Sequence, residues 1–442
     1  MSAAQARQVT AEEVVAEVAD RLADPEAVAR ITGATDNVDR PPGQPPSSPW
    51  QPTTLVNGHP GIALLFAELA ATDDRHRGTA HAHLAAAVRR ADQAGAGLSA
   101  GLTGIAFAAN AAGRAAGGYR RLLDQLDVQV RRECTALVDA ERERIRARRA
   151  GVPIAGYDLI SGLTGIGAYL LARGHHQLES VLTCLVRLTD PVTAYGLAVP
   201  GWWTPDRPFL VADDERYGRG HLNVGVAHGI GGPLALLSLA WTAGVRVARQ
   251  RDAVERIARW LLEHRRVDPT DGCGWWPGDV PFDEQVGGRR EQHLADRAAW
   301  CYGTPGVARA LQLAGLAFDQ PRWQRTAVAA MVELLARPDR TATDAGLCHG
   351  SAGLLWLTSR MARDCTDPDL RAGLAVDALI EEVLAQYDPS APFGFRYTAQ
   401  HAIVAPDRPG FLEGAAGIAL VLTGHAVAAS PSTGWDAALL TG

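Results

Sequence analysis

The chain has 442 residues, of which 47% are hydrophobic, and it carries a formal net charge of −6 at pH 7. This composition is sufficient for a large core, and the acidic balance argues against a nucleic-acid-binding surface as the main function. The chain opens with no apolar signal core, and no apolar run is long enough to cross a bilayer. We therefore expect a cytoplasmic protein that is not integral to a membrane, in which the six cysteines are free thiols or metal ligands.

The first predicted element is an amphipathic helix that begins after Thr10, because Thr10 and Glu13 have the spacing of a capping box. A proline-rich segment follows and ends at Trp50, since proline at this density cannot continue a helix. We expect residues 1–50 to form an N-terminal helix and linker, and residues 51–442 to form a single catalytic domain.

A short phrase then recurs seven times: Gly-x-x-Gly, running into a segment of small and apolar residues that is typical of a buried helix. The first glycines lie 43 to 74 residues apart, which is longer and less regular than the spacing of ordinary solenoid repeats. Equivalent positions of a repeated frame occupy equivalent places, so side chains far apart in sequence are expected to converge. The first glycines are Gly58, Gly101, Gly162, Gly229, Gly303, Gly350 and Gly414.

Longer charged stretches separate the phrases and have the pattern of amphipathic helices. Each repeat is therefore predicted to be a helical hairpin with one buried and one outer helix. We predict an all-α protein, a closed α/α toroid (double helical barrel) of seven hairpins with inner and outer helix layers. His81 and His83 are interpreted as solvated residues of an outer helix. The tryptophan pairs near Trp202 and Trp275 either plug loops onto the ring or form a peptide-binding lip.

Polar residues stand near the first glycine in repeats three to six. Cys301 and Cys348 occupy the same position, two residues before Gly303 and Gly350, and His228 and His349 each lie one residue before their glycine. Two thiolates and one imidazole match a zinc site with an open fourth position, the pattern of catalytic rather than structural zinc. Asp158 precedes its glycine by four residues and Arg297 by six, so both are candidates for the same rim.

Core packing is the competing explanation for these cysteines and histidines. A lone Cys or His on an apolar helix is usually a packed core residue, and this is our interpretation of Cys134, Cys184 and Cys365. For Cys301, Cys348 and His349, the equivalence of the repeats by itself leaves a metal site and core packing equally open.

At these residues the chain resembles a lanthipeptide (lantibiotic) cyclase of the LanC type, from about Trp50 to the C-terminus. The most specific motifs are W-C-Y-G-T-P-G at Trp300 and C-H-G-S-A-G at Cys348. They are supported by A-H-G-I-G-G-P at Ala227 and Y-D-L-I-S-G-L-T-G-I-G at Tyr157, in the order of the family. The resemblance implies the seven-hairpin toroid and, because no region large enough for a dehydratase precedes the motifs, the stand-alone class I type.

The resemblance also implies a site and a reaction. One Zn²⁺ per chain would assist the addition of a peptide cysteine thiol to dehydroalanine or dehydrobutyrine, which closes a thioether ring. The implied metal ligands are Cys301, Cys348 and His349, and the other implied functional positions are Asp158, His228, Arg297 and Tyr302. We interpret His228 as the acid or base, and Asp158 as the residue that either orients it or fixes its protonation state. Arg297 and Tyr302 either support the site or stabilise an enolate.

The implied partners are a dehydrated lanthipeptide precursor (leader plus core peptide), a dehydratase and an exporter, with peripheral association to a membrane biosynthetic complex as a further expectation. Three other functions stay open at this point. The first is a LanC-like protein that binds glutathione or peptides without cyclising them, and the second is a zinc protein prenyltransferase-like enzyme. The third is a carbohydrate-processing toroid, which needs paired carboxylates; Asp158 and Glu413 are the only candidates, and nothing in the sequence pairs them.

Overall fold

The computed structural model describes residues 9–40, 45–208, 214–288, 298–337, 340, 344–398, 406–427 and 430–442. The described residues are mainly helical, as predicted. The α-helices are α1 Ala11–Leu22, α2 Pro25–Thr32, α3 His59–Ala70, α4 Arg77–Val88, α5 Gly97–Ala100, α6 Leu102–Ala116, α7 Arg120–Arg146, α8 Ile154–Tyr157, α9 Leu163–Arg173, α10 Leu178–Leu188, α11 Gly231–Thr242, α12 Gln250–Glu263, α13 Phe282–Gln285, α14 Thr304–Ala317, α15 Pro321–Ala336, α16 Ser351–Asp364, α17 Pro368–Ala372, α18 Val376–Leu384 and α19 Ala415–Val427.

Short strands lie in the loops. Within the described residues they form three two-stranded antiparallel pairs. The pairs are β1 (Val192–Ala194) with β2 (Leu197–Val199), β3 (His221–Asn223) with β6 (Asp279–Pro281), and β4 (Arg266–Val267) with β5 (Gly274–Trp275). None of the described helices combines the length and the apolar character that crossing a membrane requires.

The helices form two concentric layers. The inner layer consists of the seven helices that follow the glycine phrases, and each packs on the next around the ring: α3, α6, α9, α11, α14, α16 and α19. Since inner helices have neighbours on every side, they are buried on every face; in α14 every residue from Thr304 to Gly315 is buried. Outer helices such as α12 instead bury one face, which includes Val254, Ile257 and Leu261.

The ring is closed by the two ends of the chain. The last inner helix, α19, packs on the first, α3, and the outer partner of α19 is the N-terminal helix α1. Helix α1 begins at the predicted capping box, in which Thr10 and Glu13 each accept a hydrogen bond from the other's backbone. The seven-hairpin toroid is thus confirmed, with the seventh hairpin assembled from opposite ends of the sequence. The predicted boundary between residues 50 and 51 stays a prediction.

A continuous belt of backbone hydrogen bonds runs around the inner rim. In each of the seven phrases the carbonyl two residues before the first glycine accepts an N–H from the neighbouring repeat, and α3 and α19 are joined in the same way. The accepting carbonyls belong to Val56, Ser99, Ile160, Ala227, Cys301, Cys348 and Leu412. This belt gives the repeats a common register, so positions counted from the first glycine are also equivalent in space.

The second glycine of each phrase is required by close packing. A Cβ atom at this position would lie between 1.8 and 2.6 Å from the carbonyl oxygen six residues earlier in all seven phrases. At Gly165, for example, it would lie 2.2 Å from the oxygen of Leu159 and 2.9 Å from the Cβ of Leu98 in the preceding repeat. The phrase therefore recurs because only glycine lets each inner helix start against its own loop and its neighbour.

Candidate metal centre and active site

Cys301 and Cys348 lie side by side because the belt joins their backbones. The N–H of Cys301 donates to the carbonyl of Cys348 at 3.3 Å, and the N–H of Trp300 donates to the same oxygen at 3.1 Å. His349 follows Cys348, and one ligand atom from each of the two thiols and the imidazole lies within 4.8 Å of the others. Among the described residues this is the only cluster of three or more His, Cys, Asp or Glu side chains close enough to share a metal ion.

The imidazole of His349 is oriented by a buried carboxylate. His349 Nε2 lies 3.1 Å from Asp344 Oδ2 and 3.2 Å from the hydroxyl of Tyr397. The other oxygen of Asp344 accepts the N–H of Gly346 at 2.5 Å, which fixes the carboxylate in its loop. A carboxylate on the second nitrogen is the usual support of a metal-binding histidine, and it makes Nδ1 the nitrogen that could bind a metal.

The electrostatics of the cluster favour a thiolate at Cys301. A hydrogen bond from the Cys348 thiol holds the pKa of Cys301 well below its usual value, against the effect of burial, and His349 acts in the same direction. Burial acts to lower the pKa of His349, but the hydrogen bonds to Asp344 and Cys301 outweigh it and raise that pKa to about 10. The hydrogen bond between the two thiols raises the pKa of Cys348, so this thiol keeps its proton. A zinc ion would displace that proton, because the thiolate is the form of cysteine that binds metals, and two sulfurs with one nitrogen match the donor set of a three-ligand zinc site.

A second polar pair lies on the same rim. His228 Nδ1 is 2.6 Å from Asp158 Oδ2, and the other oxygen of Asp158 accepts the N–H groups of Ser161 and Gly162, both at 2.8 Å. Asp158 is buried, whereas 39% of the His228 side chain is exposed. Because a carboxylate only accepts, Asp158 holds the proton of His228 on Nδ1 and directs Nε2 away from itself.

Tyr302 connects the two groups. It follows Cys301, and its ring stacks beside that of His228 with centroids 6.2 Å apart. The amide of Asn223 donates to the Tyr302 hydroxyl at 3.1 Å, while its oxygen accepts the N–H of Gly225 at 3.1 Å, which fixes the orientation of the amide. Burial raises the pKa of Tyr302, so the phenol stays protonated and can donate a hydrogen bond.

The structure thus brings together six of the seven residues proposed from the sequence, and Arg297 lies outside the described residues. Their individual roles stay predictions.

The interpretation of Cys134, Cys184 and Cys365 as buried residues agrees with the structure. Trp202, Trp203, Trp275 and Trp276 are all buried, so the loops plug onto the ring and these side chains form no exposed lip.

Three residues that support the site were not predicted from the sequence, although a signal for them was present. Asn223, Asp344 and Arg408 each stand six residues before the first glycine of their phrase, which is also the position of Arg297. Elsewhere this position holds proline or glycine. Polar residues at this position in four consecutive repeats indicate a second set of side chains, which support the candidate metal ligands and their neighbours.

The fold and the site together define a class, a closed seven-hairpin α/α toroid with a candidate Cys₂His metal centre on its inner rim. The family model described as "Lanthionine synthetase C-like protein" matches residues 49–440. The chain therefore belongs to the lanthionine synthetase C-like family.

Two relatives illustrate the similarity. The nisin biosynthesis protein NisC of Lactococcus lactis subsp. lactis is 25% identical over 354 residues, which are 77% of this chain and 82% of the relative. A solved structure of nisin cyclase superposes with a TM-score of 0.73 at 23% identity, and the match covers 98% of this chain and 96% of that one. The structural match supports the toroid fold.

Proposed function

We propose that the protein is a zinc-dependent lanthipeptide cyclase, acting in the cytoplasm on a dehydrated precursor peptide supplied by a dehydratase. The proposal rests above all on the cluster of Cys301, Cys348 and His349 beside the His228–Asp158 pair. Family membership and the similarity to NisC support the same reaction class. The same proposal includes recognition of the leader peptide, transfer of the product peptide to an exporter and peripheral association with a membrane complex.

The reaction joins a cysteine sulfur to the β-carbon of a dehydro residue. A carbon–sulfur bond forms, the electrons of the carbon–carbon double bond move toward the carbonyl, and the α-carbon gains a proton, so no oxidant or reductant is needed. Bound zinc would supply the Lewis acidity that lowers the pKa of an incoming thiol, and two thiolate ligands would leave that sulfur nucleophilic.

The remaining steps belong to side chains of the chain itself. His228 is held by Asp158 with its proton on Nδ1, which leaves Nε2 to exchange the proton that the thiol loses and the α-carbon gains. The Tyr302 hydroxyl receives its hydrogen bond from Asn223, so its own proton is available to the developing enolate oxygen. Arg297 is proposed to add positive charge to this oxygen or to support the site. Much of the rate gain is positional, because the site must hold both reacting groups together.

Two variants separate metal binding from proton transfer. Cys348→Ala should abolish both stoichiometric zinc and ring closure, because a thiolate ligand is lost. His228→Asn should retain zinc and lower the cyclisation rate by about 10²- to 10⁴-fold, the usual loss for an acid–base group. Zinc is measured by metal analysis, and cyclisation by loss of alkylatable thiol in a leader-bearing peptide that contains dehydroalanine and one cysteine.

Other results would contradict the proposal in different ways. If the wild-type protein binds no stoichiometric zinc, the proposed metal centre is wrong. Loss of zinc from His228→Asn would place His228 among the ligands instead. Zinc-loaded protein that binds the peptide without consuming its thiol would indicate a non-cyclising peptide-binding protein.

A further inference from the structure

The N-terminal segment reaches the metal centre through a chain of three side chains. The first link is Tyr397, whose hydroxyl lies 3.2 Å from His349 Nε2. Tyr397 is largely buried, and His349 packs against its ring edge-to-face with centroids 5.9 Å apart. Movement of this ring would therefore disturb the orientation of the imidazole.

The second link is Arg408. Its guanidinium carbon lies over the Tyr397 ring, 4.0 Å from the centroid, which is a close cation–π contact. Only 8% of the Arg408 side chain is exposed. Since a buried guanidinium requires compensation, its position depends on the carboxylates that surround it.

The third link is Asp39. Arg408 Nη2 donates to both oxygens of Asp39 at 2.6 and 2.7 Å, while Nη1 donates to Glu413. Asp39 itself is fixed, because its backbone pairs with Ser47 through two hydrogen bonds of 2.8 and 3.0 Å. It lies before residue 49, where the match to the family model begins.

The contact between the two ends of the chain is reinforced next to this link. The amide of Asn37 donates to the carbonyl of Asp407 at 3.2 Å, and the N–H of Asp407 donates back to the Asn37 oxygen at 2.8 Å. These two bonds join residues that are 370 positions apart. They hold Asp39 opposite Arg408 and connect the segment before the first repeat to the loop of the last.

We propose that Asp39 is a positioning residue for the metal centre, acting through Arg408 and Tyr397 on His349. This inference rests on the proposed zinc site. Two carboxylates hold the guanidinium in one plane, the guanidinium holds the ring, and the ring hydroxyl limits rotation of the imidazole. Removing the charge of Asp39 releases one side of Arg408 and loosens the ligand without touching it.

The test measures metal binding and not activity alone. Zinc dissociation constants are determined by competition with a chelator, and the cobalt(II)-substituted protein gives a visible spectrum that reports ligand geometry. Tyr397→Phe keeps the ring but removes the hydroxyl, and we expect zinc affinity to fall about 10-fold, as for other outer partners of metal ligands. Asp39→Asn should weaken binding about 3- to 10-fold and alter the cobalt spectrum, and Asp39→Glu should restore both.

A double variant and a matched control make the test specific. If Asp39 acts through Tyr397, the losses in zinc affinity will not add in Asp39→Asn/Tyr397→Phe, because both changes break the same chain of contacts. Arg21→Gln is the control, since Arg21 also joins the N-terminal region to the last repeats, by a bond of 2.9 Å to the carbonyl of Pro389, but it does not touch Arg408. It should leave zinc affinity and the cobalt spectrum unchanged.

Three results would overturn the inference: unchanged zinc affinity in Asp39→Asn, an equal loss in Arg21→Gln, or full additivity in the double variant. Each of these leaves the proposed function intact. Wild-type protein that binds no zinc would instead remove the proposed function and this inference together, so the two failures are distinguishable.

Discussion

The side chains of His349 and Tyr302 on the inner rim each have a supporting side chain at a fixed position in a repeat phrase. The ligand candidates stand one or two residues before the first glycine, and a supporting side chain stands six residues before it. Asp344 supports His349 in repeat six, and Asn223 supports Tyr302 from repeat four. The side chains of Asn223 and Asp344 also accept the N–H two residues further on, so the loop that carries each of them fixes its orientation.

Asn223→Asp tests this support at the level of one atom. The variant keeps the acceptor for Gly225 but replaces the amide donor by an acceptor, which would draw the Tyr302 proton away from the substrate. If Tyr302 donates to the enolate, we expect the cyclisation rate of Asn223→Asp to fall to that of Tyr302→Phe, with zinc content unchanged. The double variant Asn223→Asp/Tyr302→Phe should then show no further loss. Wild-type turnover in Asn223→Asp would contradict this role, and a loss of zinc would show that the change disturbs the metal centre instead.

At the scale of elements, glycine sterics decide where inner helices begin. The second glycine of each phrase touches its own loop and, in most repeats, the equivalent apolar residue of the neighbouring one. A methyl group at these positions has no space, whereas at Gly78 of the outer helix α4 it would meet no atom within 4 Å. The repeat phrase is thus a packing requirement, and it is independent of the chemistry that a few repeats carry.

Two glycine-to-alanine changes should have opposite effects on stability. In Gly104→Ala the new Cβ would lie 2.4 Å from the Leu98 oxygen and 3.1 Å from the Leu55 Cβ. We expect a loss of about 1–3 kcal/mol in unfolding free energy. Gly78, in the outer helix α4, has no atom within 4 Å of a Cβ, so Gly78→Ala should gain about 0.5 kcal/mol through helix propensity. Urea unfolding of both variants checks the sign, and equal effects would contradict the packing argument.

Helix α1 is joined to the first hairpin by a buried histidine pair. His83 Nε2 lies 2.8 Å from the carbonyl of Leu22, and the Nδ1 atoms of His83 and His59 are 3.0 Å apart. The interpretation of His83 as a solvated residue was therefore wrong, because the C-terminal end of α1 and helix α2 cover that face of α4. Since a carbonyl only accepts, His83 carries its proton on Nε2, and the pair is neutral.

This pair predicts a loss of stability in mild acid. Burial, together with the nearby His83, lowers the pKa of His59 to about 3, and burial lowers that of His83 to about 4, both from 6.5. Between pH 6.5 and 4 the unfolded chain therefore binds more protons than the folded protein does. The free energy of unfolding falls as the pH falls through this range, by about 1.4 kcal/mol per pH unit for each histidine. In His83→Gln the urea midpoint should depend less on pH. His81→Gln, on an exposed position of the same helix, should keep the wild-type slope; equal slopes in all three proteins would exclude the pair as the cause.

At the scale of the whole molecule, the chain closes a ring that neither end can close alone. Helix α19 needs an outer partner, and α1 supplies it with a buried face that includes Val14, Val18 and Leu22. The N-terminal segment then continues to Asn37 and Asp39, which contact the last repeat beside the candidate metal centre. Residues 9–40 therefore contribute packing surface to the toroid.

Leu22→Ala tests whether the N-terminal helix unfolds with the ring. Leu22 is fully buried, so the substitution should cost about 2–5 kcal/mol. If α1 belongs to the cooperative unit, calorimetry should show the entire transition shifted to lower temperature. A separate low-temperature transition, with the main one unmoved, would instead support a boundary near residues 50 and 51.

The number of hairpins, the alternation of buried and outer helices and the meeting of Cys301, Cys348 and His349 followed from the sequence alone. These features depend on local sterics and on helical periodicity, which act within a few residues and repeat in register. The repeat frame also placed His228 and Asp158 on the same rim, whereas Tyr302 followed from the resemblance to a family, and the structure supplied the contacts of all three.

The tertiary structure decided which surfaces are covered. It buried His83 and the tryptophan side chains and gave α19 its partner from the other end of the chain. It also placed Asp39 against Arg408, and Arg408 against Tyr397. Burial of a face depends on the element that packs against it, and here that element can come from the opposite end of the chain, as α1 does for α19. Local patterns specify the hairpins, but contacts between distant segments determine which polar side chains support the site.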